Sequence, residues 1–104
     1  MTQRYRIIVL ARAFSELDDI IDYIAKRSPQ NAAAVIDRLW EAMQSLSEFP
    51  HRFKVHAHHR DRAKIVHSMP VGPHLMYFRI NEQQYVVRIL SVRHGSRKQP
   101  RRFP

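Results

Sequence analysis

The chain contains no cysteine. That excludes disulfide scaffolds, thiol nucleophiles and zinc sites with cysteine ligands, and it fits a reducing cytoplasm. Glycine is almost as scarce, with only Gly72 and Gly95 among 104 residues. A glycine-rich phosphate loop and a dinucleotide fingerprint are therefore impossible. No apolar run reaches the ~18 residues a membrane span needs, and the N-terminus lacks the apolar core of a signal peptide. The length suits one domain, with no room for a second unit.

Acidic residues are the other scarcity, and it is local. Residues 51–104 contain only Asp61 and Glu82 against twelve lysines and arginines, a balance of +10. Residues 1–50 come to −1, and all seven histidines lie in the second half. A field this lopsided attracts a polyanion or an acidic protein surface.

Residues 3–10 are β-branched and apolar and read as a strand. Residues 12–27 change period: Phe14, Leu17, Ile20, Ile21 and Ile24 recur on one helical face. Ser28-Pro29 is an N-cap followed by proline at the first helical position. A second helix runs to about Phe49, with Ala32, Val35, Ile36, Leu39, Met43 and Leu46 as its stripe and Pro50 as its stop. The short linker predicts an antiparallel hairpin. Residues 51–62 read as a basic, histidine-rich loop. Three strand-like runs follow, at Lys64–Met69, His74–Ile80 and Tyr85–Arg93, with Pro70-Val71-Gly72-Pro73 and Asn81–Gln84 as turns. The expected fold is α+β: an N-terminal strand, a two-helix hairpin and a three-stranded antiparallel meander, forming one domain over residues 1–95. Met76, Phe78 and Ile80 should face the helices. Residues 96–104 form a basic tail without periodicity, expected to be mobile.

Carboxylate chemistry has little to work with, because Asp18, Asp19 and Asp22 read as a solvated acidic face. His56, His58 and His59 crowd one loop without the spaced ligands a zinc site uses, so neither metal nor cofactor is expected. Ser68 and Ser91 lack the strand-turn-helix elbow of a hydrolase nucleophile. What remains is cation and imidazole chemistry on a polyanion. RNA can be cleaved that way, with a base, an acid and cations on the phosphate. Lys64, His74, Arg79, Arg93 and His94 are the candidates for such a role. Lys54, Arg62, Arg93, Arg97 and Lys98 are the candidates for partner binding.

The order of motifs resembles the RelE/ParE superfamily of type II toxin–antitoxin toxins, closest to its ParE branch. Leu17-Asp18-Asp19-Ile20 with Asp22-Tyr23-Ile24-Ala25 matches the first helix, and Ala32, Leu39, Leu46 and Pro50 match the second. Pro70-Val71-Gly72-Pro73 precedes a strand with Tyr77, and the valine-rich run Val86–Gly95 ends in His-Gly. The resemblance implies a small bacterial, cytoplasmic toxin neutralised by an antitoxin with an acidic or amphipathic C-terminal segment. ParE-type members inhibit DNA gyrase and so block replication, without mapped catalytic residues. RelE-type members cut messenger RNA on the ribosome. The third-strand arginine of the RelE type would fall near His74 or Leu75, and no tyrosine follows the last strand, while Lys64 sits where a lysine is expected. The likeness therefore favours a gyrase-binding toxin, with a ribosome-dependent endoribonuclease as the alternative. A stand-alone nucleic-acid-binding module is the remaining class, and it would want exposed aromatics beyond Phe53 and Phe103.

Overall fold

The computed structural model describes residues 3–97, 99, 100 and 102–104. The chain begins with β1 (Arg6–Val9), then α1 (Ala11–Ala25) and α2 (Pro29–Ser45). The sheet continues with β2 (Lys54–Ala57), β3 (Val66–Val71), β4 (His74–Asn81) and β5 (Val86–His94). Short 3-10 turns occupy Pro50–Arg52 and Arg62–Lys64. The strand order is β1-β5-β4-β3-β2, with β1 parallel to β5 and the other pairs antiparallel.

The α+β class and the hairpin are as the periodicity predicts. Ser28 caps α2, its hydroxyl accepting from the Asn31 amide at 3.3 Å. Three details differ. The histidine-rich stretch is not all loop, because Val55 and Ala57 alternate with exposed Lys54 and His56 and add β2 to the sheet edge. Lys64 is not on a strand: it ends a 3-10 turn capped by the Asp61 carboxylate. Finally, β3 runs on through Pro70, paired with Leu75 of β4. The paired stretch of β2 stops at Ser68, so Pro70 lies where β3 is itself an edge and a missing N–H costs nothing.

The helices cover one face of the sheet. Leu39, Met43 and Leu46 of the hairpin pack with Met69, Met76, Phe78, Ile80, Val87 and Ile89. The predicted inward set, Met76, Phe78 and Ile80, is thus in the core. Phe14 is not: it is 59% exposed, one position round the helix from fully buried Ala13. Ile36 is likewise exposed. The opposite face of the sheet is also covered. A register shift against Tyr77 and Phe78 turns Leu90 to that side, where it joins Val66 and Tyr77. Phe103 packs over Tyr77 at 5.1 Å between ring centroids, and the His56 ring lies 4.7 Å from Tyr77. The tyrosine hydroxyl donates to Gln99 at 2.6 Å, and Gln99 donates in turn to the His94 and Arg97 carbonyls. In the tail, then, the described residues make side-chain contacts with the sheet.

Candidate functional site

A cavity of about 740 Å³ opens between the helical hairpin and one end of the sheet. Helix α1 contributes Glu16, Asp19, Ile20, Tyr23 and Ile24, and α2 contributes Val35 and Arg38. The sheet supplies Pro73, His74, Val92, Arg93 and His94, and the start of the tail adds Ser96 and Arg97.

Register builds the imidazole pair. His74 opens β4 and His94 closes β5, and the two are cross-strand partners. Their rings meet edge to face, 5.5 Å apart. His94 Nδ1 accepts from the Ser96 amide at 3.1 Å, which in the neutral ring leaves the proton on Nε2. Gly72 makes the tight turn that lets β4 start there. Its φ is +57°, and a side chain on it would also press against the Arg38 guanidinium at 3.3 Å.

Glu16 organises the cavity wall. Strand β1 ends opposite Ile89, so β5 beyond that point has a bare edge. Glu16 closes it. One carboxylate oxygen accepts from the Ser91 hydroxyl at 2.8 Å and the Val92 amide at 3.4 Å. The other accepts from Arg93 Nε at 2.9 Å, while Arg12, one turn earlier, lies 3.8 Å from the first oxygen. A helical carboxylate thus substitutes for a missing strand neighbour.

The structure divides the sequence candidates. His74, Arg93, His94 and Arg97 come together at this cavity. They meet at the end of the sheet under the helices, not on an open sheet face. Lys64 and Arg79 are elsewhere. Lys64 lies before β3, the strand whose far end leads to His74. Arg79 faces the tail, where its guanidinium donates to the Pro104 carbonyl and its Nε is buried without a partner. Lys54 is on edge strand β2, and Arg62 lines a second cavity with His51, His67 and Glu82. Lys98 lies outside the described residues. Sequence reasoning missed Glu16 and Arg38. The Arg12–Glu16 spacing hints at the first, whereas nothing in α2 marks Arg38. Among the described residues no group of three or more potential ligands is placed to hold a metal, and no helix is long and apolar enough to cross a membrane.

Burial depresses the pKa of His74, with the His94 and Arg38 charges adding to the effect. Burial also depresses His67, opposed by a hydrogen bond to the Phe53 carbonyl. Folded pKa values below the unfolded ~6.5 mean that the unfolded chain binds more protons in acid. The stability from these neutral rings is full above that pH and is lost as pH falls through the folded values. Thermal midpoints should therefore drop between about pH 7 and pH 5, and His74→Gln with His67→Gln should flatten that slope. An unchanged slope in the double variant would show that other groups set it.

Over residues 7–99 the chain matches the family described as the ParE toxin of the type II toxin–antitoxin system parDE. The chain belongs to this family. Solved structures share its fold. A chromosomal ParDE system from Pseudomonas aeruginosa gives a TM-score of 0.70 at 16% identity, covering 89% of this chain and 98% of that one. The RelE–RelB complex of the archaeon Pyrococcus horikoshii gives 0.63 at 19%, covering 94% and 100%. The RelBE2 toxin–antitoxin complex of Mycobacterium tuberculosis gives 0.58 at 24%, covering 88% and 91%. No curated protein matches the chain in sequence. The protein is thus a type II toxin of the RelE/ParE superfamily, as its motif order suggests.

Proposed function

We propose that this ParE-family toxin arrests growth by binding DNA gyrase, without RNA chemistry, and is held inactive by a cognate antitoxin with an acidic segment. The observation that carries this reading is the dispersal of the nuclease candidates. Phosphodiester cleavage needs its acid, base and cations around one reacting phosphate. Here Lys64 and Arg79 sit apart from the imidazoles, and Arg93 is engaged by Glu16. The family match supports the gyrase branch. The basic second half suits an acidic antitoxin segment, charge speeding the encounter.

A second reading rests on His74 and His94. Two imidazoles 5.5 Å apart with Arg38 and Arg97 in the same cavity are the parts of a metal-independent ribonuclease. One experiment separates the two. The toxin is expressed without antitoxin, then assayed for gyrase supercoiling in vitro and for messenger cleavage on translating ribosomes. Loss of supercoiling with intact messenger is the expected result. Messenger cleavage that His94→Ala lowers ~100-fold or more, with gyrase unaffected, would replace the gyrase reading with the nuclease.

A further inference from the structure

The cavity contains a group that the fold leaves without a partner. His74 is only 6% exposed and contacts the His94 ring, yet it has no hydrogen bond among the described residues. Among the described residues the buried side-chain nitrogen without a partner is Arg79 Nε, so the His74 ring nitrogens keep access to water or to a bound group. Arg38 and Arg97 line the same cavity, and no ion pair or hydrogen bond engages either guanidinium among the described residues. The Arg93 guanidinium is held by Glu16, which makes it part of the wall. Facing these cations is an apolar side of Ile20, Ile24 and Val35, with Tyr23 at its margin under the Arg27 guanidinium.

The volume is that of a small-molecule site. Two arginine forks and two imidazoles present more donors than one carboxylate accepts, whereas a phosphate monoester has the oxygens and the charge to take them. An extended peptide would look for a strand edge, and Glu16 already uses the Val92 amide there. Glu16 and Asp19 in the lining also disfavour a long polyanion, whose charge would run past them. We infer that this cavity binds a phosphate monoester on a flat, weakly polar body, the chemistry of a mononucleotide. The phosphate lies among Arg38, His74 and Arg97, and the body rests on Ile20, Ile24 and Val35. This site is additional to gyrase engagement and does not depend on it.

The test is calorimetric and NMR titration of the full chain with AMP, GMP, adenosine, inorganic phosphate and an unphosphorylated oligonucleotide. A mononucleotide is expected to bind with Kd below about 1 mM and to shift the His74 and His94 ring resonances. Adenosine should bind at least about tenfold more weakly. Arg38→Ala, at an exposed position, should weaken the mononucleotide by about tenfold or more, with the melting midpoint measured alongside to show that the fold is intact. No binding by about 10 mM, adenosine matching AMP, the oligonucleotide matching the mononucleotide, or an unaffected Arg38→Ala each overturns the inference. Capture of the cognate antitoxin in a parallel titration keeps the two ideas separate. A toxin that binds antitoxin but no mononucleotide defeats this site alone, and one that binds no antitoxin defeats the functional reading.

Discussion

Leu39→Ala is expected to destabilise the toxin by about 2–5 kcal/mol. Leu39 is 2% exposed and lies in the cluster that joins α2 to Met69, Met76 and Phe78. Truncation removes the transfer energy of its methyl groups and leaves a void that close-packed neighbours fill only in part. A domain of this size has on the order of 5–15 kcal/mol in total, so the loss should lower the thermal midpoint by roughly 10–20 °C. Ile24→Ala is the control. Ile24 is half-buried and borders the open cavity, so its loss makes little new void. Its cost should be clearly smaller, on the order of 1 kcal/mol. Equal midpoints for the two variants in a calorimetric scan would show that the hairpin is anchored elsewhere.

Glu16→Ala should cost about 2–4 kcal/mol, and more than Glu16→Gln. The carboxylate answers a fully buried Ser91 hydroxyl, the Val92 amide and the Arg93 guanidinium together. Alanine strands the Ser91 hydroxyl and the Val92 amide, and Ser91 has no route to solvent. Glutamine keeps an acceptor for the hydroxyl and the amide but gives up the ion pair. That pair is partly solvated, with Arg93 about one-third exposed, so its screened share is small. Denaturant unfolding of the pair of variants measures the difference. If alanine and glutamine are equally destabilised, the edge contacts to β5 contribute nothing and the charge alone matters. Hydrogen exchange gives a second readout, because the Val92 amide should lose protection in the alanine variant.

The elements of this fold were legible because their signals are local. The Ser28-Pro29 cap, the Leu39–Met43–Leu46 stripe and the alternation of Met76, Phe78 and Ile80 each follow from backbone period and burial. The net charge of the second half, and hence the acidic character expected of a partner, needs only counting. Where a local signal was weak, it misled. Four residues of alternation in a run of histidines did not announce β2, since so short a strand forms only when β3 is there to pair with it. Phe14 has the spacing of the α1 stripe, but the contact with β5 rotates Ala13 inward and leaves Phe14 in solvent.

The functional surface is different in kind. That His74 and His94 touch is a matter of β4–β5 register, set by a turn and a one-residue bulge some distance from both. That Glu16 belongs to the end of β5 depends on where β1 stops pairing. Arg38 reaches the same cavity because α2 crosses the β3–β4 turn at Gly72, and Arg79 is withdrawn from it because the tail lies on the other face. Composition and periodicity determined the class of fold, the hairpin, the inward face of the sheet and the basic character of the second half, since each depends on neighbours within a few residues or on counting alone. Only the tertiary structure decided which cations share a site, because residues as far apart as Glu16 and Arg93 meet through strand register and helix docking, which no local pattern encodes.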